Sequence, residues 1–360
     1  MTEAQQPIAL VGAGVCTSLG FDAESSLAGV EAGLSRMVNL EPFGPDQPVV
    51  AAEFEIFKGD IPRGRRISWM VATAYLDLVR RFPSWQRVDL PLVMVGPEPA
   101  ADHDIERGFM MSALRELSDT MLPRPGGDFW LAGGRGGWFA GLRHAMELLE
   151  AGEPLVALGA VDSDCDSRSL QRLHKRNALL GEHNPDGRIP GEAAAFLLLA
   201  RRDVPRQIAA RPWAWIRDCH VDAEQRHLMQ PHSTKGEGLA RLYRKLREAN
   251  PNWRADAIDS AQPSGTHWAR SFQMAYLRNA EIMPEPLTVR GVGDALGDCG
   301  AATPALLTAF AGLRFSRGDE ARRVLLYGES DDGGMGACLL EAGEPSKEGA
   351  RIVARRESQP

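Results

Sequence analysis

The sequence predicts an α/β protein built from two similar halves. Apolar segments of strand length alternate with amphipathic segments of helix length, an order typical of a mostly parallel sheet covered on both faces. Two long segments also resemble each other, "GGRGGWFAGLRHAMELLEAGEPLVALGAVDS" (133–163) and "GDCGAATPALLTAFAGLRFSRGDEARRVLLYGESDD" (297–332). Each runs from a glycine-rich turn through a helix and a strand to an acidic end. This similarity, at a period of about 150–170 residues, predicts an internal duplication.

The first half alternates strand and helix from its beginning. An apolar strand that ends in glycines (7–15) precedes a helix at 25–34, for which Asp22 or Ser25 can provide the N-terminal cap. Continuous apolar runs indicate buried strands, and amphipathic runs between them indicate helices. The further predicted strands are 90–98, 128–134, 154–163 and 191–202, and the further predicted helices are 66–82, 104–122 and 137–151.

The second half follows the same plan. A strand at 213–222 precedes a helix at 235–249, and one face of this helix carries four apolar residues, Leu239, Leu242, Tyr243 and Leu246. The remaining predicted elements are a strand within 256–265, a helix within 293–313 that a glycine-rich turn opens, and strands at 321–334 and 336–343.

The linker "RRDVPRQIAARP" (201–212) marks the predicted boundary between the two halves, because it combines prolines with charged residues and lacks periodicity. We therefore expect an N-terminal half at 1–203, a C-terminal half at 204–345 and a polar tail at 346–360.

Composition and charge exclude several classes of protein. The net charge of −7 and the lack of a long Lys/Arg run argue against a nucleic-acid partner. No apolar run approaches the roughly 18–20 residues that span a bilayer. The N-terminal residues lack the basic segment and apolar stretch of a secretory signal, so we expect a cytoplasmic protein that does not contact membranes.

The five cysteines, Cys16, Cys165, Cys219, Cys299 and Cys338, are odd in number and never spaced as CxxC. This pattern predicts reduced thiols that fill the core, with neither a disulfide nor a zinc site. The sequence likewise gives no indication of a cofactor.

Several short segments, in the same order along the chain, resemble the β-ketoacyl synthase family. "NPDGRIPGEAAAFLLL" (184–199) is similar to the family's "DGFVPGEGAAALVL" and is the most specific match. "IALVGAGVCTSLG" (8–20) resembles the family's opening strand, "AQPSGT" (261–266) its "AHGTGT" and "GVGDALGDCGAA" (291–302) its "TGHTLGAAGA". The resemblance spans about residues 7–343. It implies a thiolase-like fold of two βαβαβαββ halves in five αβαβα layers, usually as a dimer.

The resemblance also implies three catalytic positions, and none of them carries the residue that the family's chemistry needs. The acyl-carrying cysteine at a helix N-terminus falls on Gly134, and the two histidines fall on Gln262 and Asp294. Glycine has no sulfur with which to form a thioester. A charged Asp294 in a low-dielectric pocket would repel a malonyl carboxylate. The resemblance therefore predicts a catalytically inactive member.

Other residues are expected around the former catalytic position. Trp130, Arg135 and Trp138 surround position 134 in the sequence, and the two tryptophans are expected to fill the volume of the family's acyl tunnel. Asp332, in "DDGGMG" (331–336), stands where the resemblance places a gating phenylalanine, which predicts a polar and acidic wall.

His267, Asp298 and Cys299 complete the set of possible pocket residues, with alternatives left open for each. Cys299 opens the second glycine-rich helix, either as a relocated nucleophile or as a small core residue. Asp294 could form an acid–base pair with His267 or a pair of carboxylates with Asp298, or these residues could be polar filling of an abandoned pocket.

A further acidic run, Asp162, Asp164 and Asp166, alternates at a predicted strand end. The glycine and glutamate of a calcium loop are not placed correctly after it, so we expect a solvated strand end rather than a metal site.

These observations favour a non-catalytic binding, scaffold or adaptor protein that works as a homodimer or with a protein partner. The resemblance supplies precedents in chain-length factors that pair with an active synthase. It also suggests an acyl-carrier protein or a secreted bacterial effector as possible partners. The alternative is an acyltransferase or ketosynthase-type enzyme, or an acyl-ligand binder, that uses a relocated residue in the old cavity.

Overall fold

The described part of the chain comprises most of both predicted halves. The predicted polar tail (346–360) lies outside it. The computed structural model describes residues 6–44, 47–57, 59–82, 88–101, 105–117, 121–182, 184–208, 210–319 and 321–343.

Strands and helices alternate through both halves, close to the predicted positions. The strands are β1 (Ile8–Thr17), β2 (Met37–Leu40), β3 (Val49–Ala52), β4 (Val88–Gly96), β5 (Met121–Ala132), β6 (Leu155–Ser163), β7 (Glu192–Ala200), β8 (Ala214–Ala223), β9 (Ala257–Ser260), β10 (Val289–Arg290), β11 (Arg323–Glu329) and β12 (Gly334–Ala342). The helices are α1 (Ala23–Glu31), α2 (Arg63–Arg80), α3 (Arg107–Glu116), α4 (Gly134–Glu150), α5 (Ser167–Lys175), α6 (Val204–Gln207), α7 (Glu237–Ala249), α8 (Thr266–Leu277), α9 (Gly293–Leu296) and α10 (Ala302–Arg317).

The sheet confirms the predicted duplication. Its strand order is β10–β9–β11–β12–β8–β1–β7–β6–β4–β5, with β1 and β8 paired at the centre. Outward from the centre, β1–β7–β6–β4–β5 matches β8–β12–β11–β9–β10. In both halves the successive pairings are antiparallel, antiparallel, parallel and parallel. The ribbon of β2 and β3 stands apart from this sheet.

The prediction of a mostly parallel sheet is wrong, because antiparallel pairings dominate the middle of the sheet. β11 and β12 are joined by the short turn at 330–333, and such a turn can connect only antiparallel neighbours. The parallel pairs lie at the outer strands, where helices provide the crossover connections.

The elements stack in the five layers that the resemblance implies. Helices α4 and α10 contact strands of both halves, so they form the central layer between the two halves of the sheet. Leu142 and Met146 of α4 and Leu306 and Phe310 of α10 are fully or almost fully buried there. Helix α2 covers the outer face of the first half, and α7 covers that of the second.

Three local predictions are confirmed: the cap of α1, the buried face of α7 and the burial of the cysteines. Asp22 caps α1, since its carboxylate accepts a hydrogen bond from Ser25 N. The predicted apolar face of α7 is buried: Leu239, Leu242, Tyr243 and Leu246 are all inaccessible to solvent. All five cysteines are buried and unpaired. Within the described chain, no helix combines the length and apolarity that crossing a bilayer requires.

The helix predicted within 293–313 is instead two helices. Gly297 and Gly300 have φ of +66° and +49°, and this left-handed backbone separates α9 from α10. Helices α5 and α8 and the β2–β3 ribbon were not predicted. Helix α5 has only nine residues and each strand of the ribbon has only four, so their periodic patterns are short.

Two neighbouring glycines of α4 test the packing of the central layer. A Cβ atom at Gly136 would overlap the carbonyl oxygen of Gly334, whereas one at Gly137 would lie no closer than 3.8 Å to any atom outside the helix's own backbone. We expect Gly136→Ala to lower the free energy of unfolding by about 2–4 kcal/mol, because backbone atoms must move apart. Gly137→Ala should be neutral or stabilising by up to about 1 kcal/mol, because alanine favours helix.

Urea denaturation of the two variants and the parent chain measures both values. Equal stability of the two variants would contradict the close approach of α4 to the β11–β12 turn.

Candidate functional site

The resemblance places the acyl-carrying cysteine at the N-terminus of α4. In the structure, both the backbone conformation and the neighbouring side chains at this position favour glycine. Gly134 has φ of +60°, which side chains other than glycine rarely adopt. A Cβ atom there would lie 2.5 Å from Cγ of Glu98 and 3.0 Å from Oγ of Ser330. The side chain of Glu98, which follows β4, therefore occupies the space that a side chain at position 134 would need.

Ser330, just after β11, holds the first turn of α4. Its Oγ accepts a hydrogen bond of 2.9 Å from Gly136 N and donates one of 2.8 Å to the carbonyl oxygen of Gly133. Amide groups at a helix N-terminus are common binding sites for anions. At α4, the amide of Gly136 is already engaged by a protein side chain.

Four buried charges form a closed ring beside this helix terminus: Arg135, Asp298, Arg188 and Asp331. Arg135 contacts Asp298 at 2.9 Å and Asp331 at 2.7 Å, and Arg188 contacts the same two carboxylates at 3.0 and 2.6 Å. The four side chains are only 2%, 4%, 9% and 10% exposed, in the order Arg135, Asp298, Arg188, Asp331. Two positive and two negative charges leave the four-charge ring neutral.

Further contacts anchor the four-charge ring. Nε of Arg135 donates to the carbonyl oxygen of Glu329 at 2.9 Å, and its guanidinium lies 5.2 Å from the ring centroid of Trp268. Burial raises the pKa of Asp331, but Arg188 and Arg135 outweigh this effect and hold it at about 2. Removing one member of such a buried set costs about 3–5 kcal/mol, because an uncompensated charge remains.

Glu98 lies against the four-charge ring, and the ring changes the pKa of its carboxyl group. Its Oε1 accepts a hydrogen bond of 2.8 Å from Asp331 N. Burial, and secondarily the charge of Asp331, raise the pKa of Glu98 to about 8. At neutral pH this carboxyl group is mostly protonated, so it adds little negative charge to the four-charge ring.

The first half contains an equivalent acidic cluster. Asp162 lies near the end of β6, and Asp164 follows this strand, as Asp331 follows β11 in the second half. Arg63 contacts Asp162 at 2.7 Å, and Asp162 also accepts a hydrogen bond from Ala301 N near the start of α10.

The prediction that Asp162, Asp164 and Asp166 form a solvated strand end is wrong. Arg172 contacts Asp164 at 2.6 Å, and Asp166 caps α5, so the cluster is occupied by arginines and helix caps. No group of three or more metal-ligating side chains could hold a metal ion in the described part of the chain.

The two positions matched to the family's histidines lie in different surroundings. Gln262 follows β9, and its amide fits the backbone of Glu329 when its nitrogen donates to the carbonyl at 3.1 Å and its oxygen accepts from the amide at 2.9 Å. Asp294 is exposed on the short helix α9. The prediction that Asp294 lies in a low-dielectric pocket is therefore wrong, because the side chain of Asp294 is exposed to solvent.

Other expected pocket residues are dispersed. Trp138 is completely buried in the central layer, where its ring lies 5.0 Å from that of Phe139. Trp130 packs in the outer layer of the first half, with the guanidinium of Arg107 4.9 Å from its ring. Asp332 is exposed in the β11–β12 turn and accepts a hydrogen bond from Gly334 N, so it lines no closed wall.

Cys299 is a buried core residue. Its Sγ donates to the carbonyl oxygen of Leu296 at 3.3 Å, and burial followed by the charge of Asp298 raises its pKa well above the ordinary value. The thiolate that a nucleophile requires is therefore strongly disfavoured. Asp298 itself belongs to the four-charge ring rather than to a carboxylate pair with Asp294.

His267 is the expected pocket residue that does line a cavity. This cavity has a volume of about 420 Å³ and lies between the start of α8, the end of α5 and the loop after β8. His267 Nε2 is 3.8 Å from Oε1 of the buried Glu329, so Glu329 replaces Asp294 as its acidic neighbour. Arg188, Asp331 and Trp268 also line the cavity, which places the four-charge ring at its wall.

The sequence prediction missed four important residues: Glu98, Arg188, Ser330 and Asp331. Glu98 and Asp331 lie at or near the ends of the predicted strands 90–98 and 321–334, where charged side chains commonly serve a site. That signal could have identified these two. Nothing local distinguishes Arg188 from the other arginines of the chain.

Comparison with solved structures shows the class of fold, while neither protein-family models nor curated proteins give a match. A type II polyketide synthase acyl-carrier protein in complex with its ketosynthase matches with 13% identity and a TM-score of 0.75, covering 94% of this chain and 100% of that one. The ishigamide ketosynthase/chain length factor matches with 18% identity and a TM-score of 0.74, covering 94% and 100%.

A third match is the ketosynthase ApeO in complex with its chain length factor ApeC from Xenorhabdus doucetiae. Its identity is 12% and its TM-score 0.73, over 95% of this chain and 99% of that one. The chain therefore has the thiolase-like fold of ketosynthases, as the resemblance implies.

Glu98 predicts a specific pH dependence of stability. Because its pKa is raised from the usual value near 4.5 to about 8 in the folded chain, its contribution is present at low pH and is lost as the pH rises through this window. Glu98→Gln keeps a neutral acceptor at this position. We expect the melting temperature of the variant relative to the parent to rise by about 2–4 °C between pH 5 and pH 8.

Glu248→Gln, which removes an exposed carboxylate from α7, is the control and should give the same offset at both pH values. Differential scanning calorimetry at the two pH values measures the offsets. A constant offset for Glu98→Gln would show that Glu98 is ionised throughout.

Proposed function

We propose that this protein is a non-catalytic partner subunit with a ketosynthase fold. The observation that carries the proposal is Gly134. It has no group that can hold an acyl chain, and Glu98 and Ser330 fill the space where a side chain would stand. A relative that works through an acyl thioester needs a cysteine at this position, together with acid–base groups beside it.

The surroundings of Gly134 support the same proposal. The arginines and aspartates of the four-charge ring are fully engaged with one another, so none is free to stabilise a developing charge on a substrate. Gln262 is suited to bonding with the backbone of Glu329 rather than with a ligand. The thiol of Cys299 is buried and neutral.

We propose that the partner docks on β5, the last strand of the first half of the sheet. Within the described residues β5 pairs with β4 alone, so its other edge presents unpaired backbone groups. Phe129 of this strand is 41% exposed and lies 4.5 Å from the ring of His144 on α4. An edge strand beside an exposed aromatic ring is suited to pairing with a strand of another chain.

The partner that fits this edge is a second chain of the same fold, either another copy or a related ketosynthase. Two identical edges can pair antiparallel about a twofold axis, which is the commonest symmetry of protein dimers. The solved structures with this fold include a ketosynthase bound to a chain length factor and one bound to an acyl-carrier protein. Those assemblies support the proposal by analogy of fold.

The alternative of an enzyme or acyl-ligand binder in the old cavity has one supporting observation, the 420 Å³ cavity at His267. That cavity does not include Gly134, Cys299 or Asp294 among its lining residues. It supports ligand binding beside the partner role rather than acyl transfer.

Association through β5 is tested with Phe129→Glu. A carboxylate placed at the docking edge should weaken association by about 10-fold or more, because the partner would have to desolvate it. Phe21→Glu is the matched control, since Phe21 is 50% exposed elsewhere on the surface and its replacement should leave association unchanged.

The chain is purified under native conditions from its own cells, and native mass spectrometry and sedimentation give the mass of the complex. The proposal expects a one-to-one complex with a second ketosynthase-fold chain. A monomer, or a complex that Phe129→Glu and Phe21→Glu affect equally, would contradict it.

A further inference from the structure

The cavity beside α8 has unpartnered hydrogen-bond donors. Trp268 lines it and is 5% exposed, and its indole N–H forms no hydrogen bond with the described residues and is not among their buried unpartnered atoms, so it is accessible to solvent or to a ligand. Arg176 is exposed at the rim of the cavity, and apart from a 4.0 Å contact with the sulfur of Met229 it has no carboxylate partner among the described residues. An indole N–H and a guanidinium can only donate, so together they favour an acceptor-rich, negatively charged group.

The N-terminus of α8 adds to this preference. The helix begins at Thr266, and its first-turn amides have no acceptor within the helix. Asp186 accepts from Thr266 N at 3.2 Å and from Thr266 Oγ1 at 2.9 Å. The amides that follow Thr266 point in the same direction along the helix axis, toward the end that favours negative charge.

The other charges of the cavity limit how much negative charge it accepts. Arg188 and Asp331 neutralise each other within the four-charge ring, while Asp186 retains a negative charge. His267 has its Nε2 turned toward the buried Glu329. A single additional negative charge can pair with Arg176. Because Asp186 repels every added negative charge, a dianion would be disfavoured about twice as strongly as a monoanion.

Part of the remaining wall is apolar. Leu173, Leu228, Met229 and Trp268 line this part, while Asn177, Asn184 and Ser264 add polar groups elsewhere. The cavity volume of about 420 Å³ lies within the range of small-molecule sites. An apolar stem of a ligand would therefore be removed from water while its head stays near Arg176 and Trp268.

We propose that this cavity binds a monocarboxylate on a short apolar stem, with Arg176 and the indole N–H of Trp268 receiving the carboxylate. The same chemistry occurs in a free alkyl carboxylate and in the C-terminal carboxylate of a peptide with an apolar last residue. This inference goes beyond the proposed partner role and does not depend on it.

Isothermal titration calorimetry on the full chain tests the proposal with two pairs of probes. Octanoate is compared with 1-octanol, and N-acetyl-leucyl-leucine with its C-terminal amide. Each carboxylate should bind about 10-fold or more tightly than its neutral counterpart, because only the carboxylate pairs with the guanidinium. Binding of octanoate alone identifies a free alkyl carboxylate as the source, and preference for the peptide identifies a chain terminus.

Two variants locate the carboxylate. Arg176→Gln should weaken carboxylate binding by about 10-fold, and Trp268→Phe, which keeps the ring face and removes the N–H, by about 3- to 10-fold. Arg65→Gln removes the charge of another exposed arginine, on α2, and should leave binding unchanged.

The proposal is overturned if no carboxylate binds at concentrations up to about 10 mM, or if the neutral counterparts bind equally well. It is also overturned if Arg176→Gln has no more effect than Arg65→Gln. Native mass spectrometry of the same variants reports partner association separately, so loss of ligand binding with an intact complex distinguishes this proposal from the partner role.

Discussion

The contact on which the rest of the site depends is the buried guanidinium of Arg135, held between Asp298 and Asp331. It joins the start of α4 to the loop before α10 and to the turn after β11, which are the elements that meet at the centre of the five layers. A buried arginine is tolerated only when its charge is compensated, so Asp298 and Asp331 must stay in place, and they in turn hold Arg188. The protonated Glu98 completes the cluster against Gly134. The protein's own side chains thus occupy the space beside Gly134 at the centre of the fold.

Much of the fold could be predicted because it depends on apolar periodicity. The buried runs of β1, β6 and β7, the amphipathic face of α7 and the glycine-rich starts of α4 and α10 are all local features, and the duplication follows from their order. The antiparallel centre of the sheet could not be predicted, since pairing direction depends on how the chain returns rather than on any one segment.

The site was less predictable than the fold. The sequence shows that residue 134 is not a cysteine, but it does not show that Glu98 and Ser330 occupy the space beside Gly134. Glu98 and Asp331 are separated by more than 200 positions, and only folding brings the carboxyl group of one to the backbone of the other. The exposure of Asp294 could not be predicted for the same reason, since the exposure of a short helix such as α9 depends on its tertiary neighbours. Sequence similarity to a family identifies positions, while the chemistry at each position depends on contacts that the alignment does not contain.

The most direct measurement of the central claim is intact mass spectrometry of the purified chain after incubation with acyl-CoA and with acyl-loaded carrier protein. Because Gly134 carries no nucleophile and Cys299 is buried as a neutral thiol, the account predicts an unchanged mass after denaturation. A stable acyl adduct that peptide mapping assigns to a single residue of this chain would contradict it.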